Sequence, residues 1–102
     1  MKRILVRGRA MRDLAEARAC YQKEAPQAVI DFALAVDAEL FHLQRNPATG
    51  SPRHGLLIGF TGLRSWTFKQ FPYVIFYVQQ PDSFVVIRVL HQATDIPAHL
   101  GQ

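Results

Sequence analysis

The residues best equipped for chemistry lie near the end of the chain, in VVIRVLHQATD, Val85 to Asp95. Arg88 offers a guanidinium that can fix an anion, His91 an imidazole that can move a proton, and Asp95 a carboxylate that can orient it. Strand geometry tests whether they can cooperate. The run from Phe84 to His91 reads as a strand, in which alternate side chains face opposite ways. Arg88 then shares a face with Phe84, Val86 and Leu90, and His91 with Val85, Ile87 and Val89. The two cannot act on one atom unless a bulge breaks the strand, and Asp95 falls beyond its end. Structural roles compete with catalytic ones. Arg88 can pair with a helix carboxylate or with main-chain carbonyls, and His91 can bond to nearby backbone.

Other reaction chemistries find little support. The four histidines, His42, His54, His91 and His99, show no metal-ligand spacing, and no HExxH pattern is present. We therefore expect no metal and no cofactor. The glycines of GLLIGFTG lack the Lys-Ser/Thr of a phosphate loop, and no serine sits in a nucleophile elbow. The strand half holds no carboxylate pair of the kind glycosidases use. Metal-free RNA cleavage remains open, with His91 as base or acid and Arg64, Lys69 and Arg88 as phosphate-stabilising cations. Trp66, Phe68, Phe71, Tyr73 and Tyr77 add aromatics to the same half. They suit stacking on single-stranded nucleic acid, or a core on one face and a protein-binding patch on the other.

The elements that must position these groups follow from periodicity. Ile4 to Val6 is short and branched, a first strand ended by Gly8. From Ala10 to Glu24, Met11, Leu14, Ala17 and Tyr21 form one helical stripe, with Asp13 and Glu16 placed in the first turn. Pro26 opens a second helix that runs to about Arg45 and stops at Asn46-Pro47. That helix carries two stripes. Val29, Ala33, Val36, Leu40 and Leu43 form the first, and Ile30, Leu34 and Phe41 the second, so it should be covered on more than one side, in part by a partner chain. Asn46 to Gly55 is rich in Pro and Gly and reads as loop. Leu63 to Gln70 alternates, Tyr73 to Val78 is apolar throughout as a strand covered on both faces would be, and Phe84 to His91 ends the set. Their short connections make these three strands antiparallel neighbours. The order β-α-α-β-β-β predicts an α+β domain in which an antiparallel helical hairpin packs on a curled antiparallel sheet.

Size and composition bound the rest. A chain of 102 residues, 49% hydrophobic with net charge +4, suits a single domain over residues 1–102 with one core. No apolar run is long enough to span a bilayer, and the basic start reads as mature sequence rather than a leader. The lone Cys20 excludes an internal disulfide and suggests a reducing cytoplasm. Six of the eight carboxylates (Asp13, Glu16, Glu24, Asp31, Asp37, Glu39) precede Arg45, and none lies between Arg45 and Asp82. A surface built from Arg53, Arg64 and Lys69 would attract an anionic partner, nucleic acid or acidic protein.

Taken in order, several pieces resemble the ParE branch of the ParE/RelE toxin superfamily. They are Ala10, Asp13, Leu14 and Tyr21 in the first helix, Pro47 and Gly50 in the loop, and Gly62-Leu63-Arg64. They continue through Phe71-Pro72-Tyr73-Val74-Ile75-Phe76-Tyr77 to Ile87-Arg88-Val89-Leu90-His91 and Asp95. The resemblance covers nearly the whole chain and implies the toxin of a type II toxin–antitoxin pair, of the kind tied to plasmid stabilisation. It implies a cognate antitoxin that wraps the toxin in a hetero-oligomer, a possible homodimer, and DNA gyrase as target, bound rather than chemically altered. The RelE branch shares the fold but cleaves mRNA on the ribosome, and His91 falls near a histidine used there; this chain lacks that branch's dense Lys/Arg cluster. An antitoxin-binding homologue without target activity is a third alternative. The partner-binding set so implied is Arg64, Trp66, Phe71, Arg88, His91, Thr94 and Asp95. Two positions depart from the pattern: Thr94 stands where an arginine usually precedes the aspartate, and the apolar insert Leu56 to Phe60 replaces a polar approach, as an extra edge or a dimer contact.

Overall fold

The computed structural model describes residues 2–100. Four strands and four helices follow in the order β1 (Arg3–Val6), α1 (Gly8–Glu24), α2 (Val29–Arg45), α3 (Arg53–Ile58), β2 (Leu63–Thr67), β3 (Tyr73–Gln79), β4 (Ser83–His91) and α4 (Ile96–Leu100). The strands form one sheet in the order β1-β4-β3-β2. The expected α+β class holds, and β2, β3 and β4 are antiparallel neighbours. The antiparallel description needs one correction, since β1 lies parallel to β4, with Val6 opposite Val86. A parallel pair needs a crossover connection, and everything between β1 and β4 supplies it.

The α1–α2 hairpin covers one face of the sheet. Tyr21 near the end of α1 meets Phe32 near the start of α2, with ring centroids 5.1 Å apart, while Leu14 lies beside Val36, so the two helices run antiparallel. Ala10, Ala17, Phe32 and Leu43 pack with Ile75, Tyr77, Phe84, Val86 and Val89 into the main core. Burying those side chains is worth roughly 1.5–3 kcal/mol for each large residue. Helix α1 begins at Gly8, two residues earlier than its stripe suggested, so Asp13 and Glu16 lie past the first turn and no carboxylate faces the dipole there. The second stripe of α2 stays open: Ile30, Leu34 and Phe41 are exposed, so the hairpin buries only one side of this helix.

The opposite face is also covered, which explains the unbroken apolar run of β3. Leu63, Val74, Phe76 and Leu90 form a second core with Ile58 of α3 and Leu100 of α4. Neither short helix was expected. The segment read as loop up to Gly55 already turns helical at Arg53, and the Leu56–Phe60 insert continues it rather than adding a strand edge. Gly59 ends α3 in the left-handed conformation, φ 73°, which a residue without Cβ adopts freely. Leu56 and Leu57 remain largely exposed.

A bulge in β4 corrects the expected division of its faces. Phe76 opposes Arg88 but Tyr77 opposes Val86, so Ile87 is an extra residue on the β4 side. Before it, Phe84 and Val86 face the hairpin core; after it, Val89 does, while Ile87 and Leu90 face the second core. Strict alternation over eight residues failed because one residue was inserted into the ladder.

Candidate partner-binding site

Two buried helix carboxylates hold the hairpin to the sheet, and the first organises a cleft. Asp13 of α1 accepts from Arg88 Nε at 2.8 Å and from its Nη2 at 3.0 Å. It also accepts the Val89 backbone N–H at 2.9 Å. This fork-on-carboxylate pair is about nine-tenths buried on both sides, and its charge-assisted bonds are the strong kind. The hydrogen bond to Asp13 holds the guanidinium of Arg88 above its ordinary pKa, against the opposing effect of burial. The bulge at Ile87 puts Arg88 opposite Phe76 rather than on the face of Phe84 and Val86, in the part of β4 past Val86 where β1 no longer pairs with it. Arg88 Nη1 is left pointing toward the His99 carbonyl, a long contact of 3.5 Å.

His91, at the end of β4, lies edge-on to Tyr73 at 5.2 Å, and its Nδ1 accepts the Ala93 N–H at 3.0 Å. A neutral ring therefore carries its proton on Nε2 and presents a donor outward. Thr94 donates its N–H to the His91 carbonyl, closing the turn. Asp95 caps α4, its Oδ1 accepting the Ala98 N–H at 3.4 Å, and its carbonyl takes the His99 Nδ1–H at 3.0 Å.

These residues border three adjoining clefts that share Arg88 and His99. One, about 230 Å3, runs from Asp13 and Glu16 past Tyr73 to His91 and Thr94. A second, about 380 Å3, adds Arg9 and Arg12 of α1. The third, about 300 Å3, opens between Arg7, Arg9, Phe60, Ile87 and Leu100. Together they form a trough along the C-terminal half of β4, between the start of α1 and α4. Arg88 and His91 thus do share a cleft, although the bulge precedes both and they remain on opposite faces of β4; the cleft lies along the edge of β4 beyond Val86, where β1 no longer pairs with it.

The remaining expected site residues lie elsewhere. Arg64 of β2 donates to the Gly50 carbonyl at 2.7 Å and to Ala48 at 3.3 Å. It belongs to a clasp on the Pro47–Gly50 turn, where the Tyr77 hydroxyl donates to the Pro47 carbonyl at 2.6 Å and accepts the Gly50 N–H at 3.0 Å. A Cβ at Gly50 would lie 2.3 Å from that hydroxyl, so the turn needs glycine for close approach. Burial pushes the Tyr77 hydroxyl above the usual tyrosine pKa, against the pull of the Gly50 amide and Arg64. Trp66 donates its indole N–H to Glu39 at 3.0 Å, and the Lys69 backbone N–H donates to the same carboxylate at 2.8 Å. Phe71 meets Tyr21 and Phe32 edge-on at 5.5 and 5.3 Å, as part of the aromatic core. The four cations of a nuclease reading are therefore not gathered. Strand β3 separates Arg64 and Lys69 from Arg88 and His91, with β2 and β4 roughly 10 Å apart. Among the described residues, no three His, Cys, Asp or Glu side chains gather to hold a metal ion.

The sequence reading missed Arg7, Arg9, Arg12 and His99. It placed the positive surface between Arg45 and Asp82, although three arginines spaced over the β1–α1 junction were visible. What hid them was Asp13 and Glu16 close behind, which make the local charge look balanced until Asp13 is assigned to Arg88.

The family described as "ParE toxin of type II toxin-antitoxin system, parDE" matches residues 4–96. The chain belongs to the ParE toxin family. Among solved structures, this ParE-family fold superposes on one titled "Chromosomal ParDE TA system from P. aeruginosa" with a TM-score of 0.73 and 17% identity, covering 89% of this chain and 96% of that one. No curated protein matches the chain significantly. The matched span contains both the Arg88–Asp13 pair and the Pro47–Gly50 clasp, so two of the stretches that carried the resemblance have structural reasons for their residues.

Proposed function

We propose that this ParE-family toxin is a non-enzymatic inhibitor of DNA gyrase, held inactive in a hetero-oligomer with a cognate antitoxin. Family membership over residues 4–96 supports the antitoxin partner and the toxin role. The observation that carries the non-enzymatic reading is the engagement of Arg88. A guanidinium that gives two bonds to a buried carboxylate is poorly placed to stabilise a transition state. His91, with Nδ1 already accepting a backbone amide, is set to donate a hydrogen bond to a bound partner. We assign partner contact first to His91 and Thr94 and to the outer edge of Arg88. Arg64, Trp66, Phe71 and Asp95 act by holding the turns and helices around them. No helix among the described residues is long and apolar enough to cross a membrane. A cytoplasmic setting, where gyrase works, belongs to the same proposal.

Thr94 favours a second reading, an antitoxin-binding homologue with weakened target activity. Its short side chain lines the cleft where the resemblance led us to expect an arginine. The test is expression of the protein alone and with the short reading frame expected beside its gene, followed by a supercoiling assay with purified gyrase. Growth arrest relieved by that neighbour, together with blocked supercoiling, is the expected result. Co-purification with the neighbour but no effect on gyrase would move the conclusion to the attenuated homologue. No binding by any neighbour would sink the toxin–antitoxin account.

A further inference from the structure

The Phe60 end of the trough has chemistry that the gyrase reading leaves unused. Its floor is apolar, from Phe60 after α3, Ile87 at the β4 bulge and Leu100 of α4. Its rim is cationic: Arg7 and Arg9 line this cleft, and Arg12 lines the next. Among the described residues, these three arginines make no ion pair, in contrast to Arg3 and Arg88. Phe60 is 37% exposed, enough of the ring to receive a neighbour, and the Ile87 bulge turns a β4 side chain toward the same space. We propose that this cleft docks an extended, acidic segment of the neutralising antitoxin, with one apolar side chain of that segment seated on Phe60, Ile87 and Leu100. The occupant rests on the neutralisation reading above; the chemistry of the cleft does not.

Charge complementarity selects the occupant. Exposed arginines gain little from isolated ion pairs in water, so carboxylates alone would bind weakly and need the apolar anchor beside them. A nucleic acid fits less well. Its evenly spaced phosphates call for a continuous cationic track, whereas this trough places Glu16 directly beyond Arg12 and engages Arg88 with Asp13. Stacking would also need several open aromatic faces, and at this end Phe60 is the aromatic that lines the cleft.

The proposal is tested by fluorescence anisotropy on the full chain with four labelled probes: a peptide alternating Glu and Leu, its Lys/Leu and Glu/Ser counterparts, and oligothymidylate. The Glu/Leu peptide should bind about tenfold or more tightly than each of the others. Arg9→Glu and Phe60→Ser should each weaken it by about fivefold or more. Lys23→Glu, the same charge change at the far end of α1, should leave it unaltered. Thermal melts confirm that each variant is folded. Equal binding of oligothymidylate, equal weakening by Lys23→Glu, or no peptide binding would each overturn the proposal. Peptide failure with neutralisation by the neighbouring protein intact removes this site and spares the functional reading. Peptide binding without any neutralising neighbour overturns the antitoxin as occupant.

Discussion

Two carboxylates, Asp13 on α1 and Glu39 on α2, do the same mechanical job at different places on the sheet. Each is nearly fully buried, and each ties a helix to a strand edge or turn. Asp13 meets a full positive charge and one amide; Glu39 meets an indole N–H and one amide. Around Glu39 the surroundings are aromatic, with His42 stacked on Trp66 at 4.7 Å. Around Asp13 they open into a trough rimmed with free arginines. The difference is one of charge. Neutral donors suffice to staple a helix, whereas an internal cation–carboxylate pair removes one strand charge from play and leaves Arg9 and Arg12 of α1 lining the cleft.

The comparison can be broken by mutation. Asp13→Ala leaves Arg88 buried and uncompensated, and should cost about 3–5 kcal/mol in urea denaturation. Replacing both partners, Asp13→Leu with Arg88→Met, should recover most of that loss, since a buried pair is often no better than an apolar one. Glu39→Ala strands only neutral donors and should cost about 1–3 kcal/mol in the same measurement. If Glu39→Ala proved the costlier change, the contrast between the two sites would collapse. His91→Ala removes one hydrogen bond and an edge contact with Tyr73. It should lower stability by about 1 kcal/mol while weakening partner binding, read by antitoxin titration.

The smallest expected effect is on pH dependence. Burial raises the pKa of Tyr21, Tyr73 and Tyr77 above the ordinary 10.0. The folded state therefore holds these protons more tightly than the unfolded chain does. Stability should be at its full value below pH 10.0 and decline as pH rises through and beyond it. Tyr77→Phe should flatten that alkaline decline in denaturation curves taken across the range, though it also loses the clasp on Pro47 and Gly50. An unchanged slope would mean that the hydroxyl is not buried in solution.

Most of the fold was legible because burial writes periodicity into sequence. The unbroken apolar run of β3 announced cover on both faces, and α3 and α4 with the hairpin provide it. The first stripe of α2 is only partly covered, with Leu43 buried, Val29, Val36 and Leu40 half-buried and Ala33 exposed, whereas Phe32, which neither stripe included, is fully buried. The parallel pairing of β1 left no trace in four residues. The bulge at Ile87 was invisible too, since one inserted residue in a mostly apolar strand changes no pattern, yet it moved Arg88 off the face of Phe84 and Val86. Asp13 looked like a dipole partner because position along a helix suggested it; its bond to Arg88, 75 residues away, is a tertiary fact.

The central claim is that the Asp13–Arg88 pair builds the cleft and that the cleft binds without cutting. The most direct measurement sets gyrase supercoiling beside mRNA cleavage on ribosomes, for the wild type and the folded Asp13→Leu/Arg88→Met variant. The account predicts that the wild type blocks supercoiling, that the double variant, having lost the pair that shapes the cleft, blocks it more weakly, and that neither cuts mRNA. Ribosome-dependent cleavage by the wild type that vanishes in the folded double variant would contradict it.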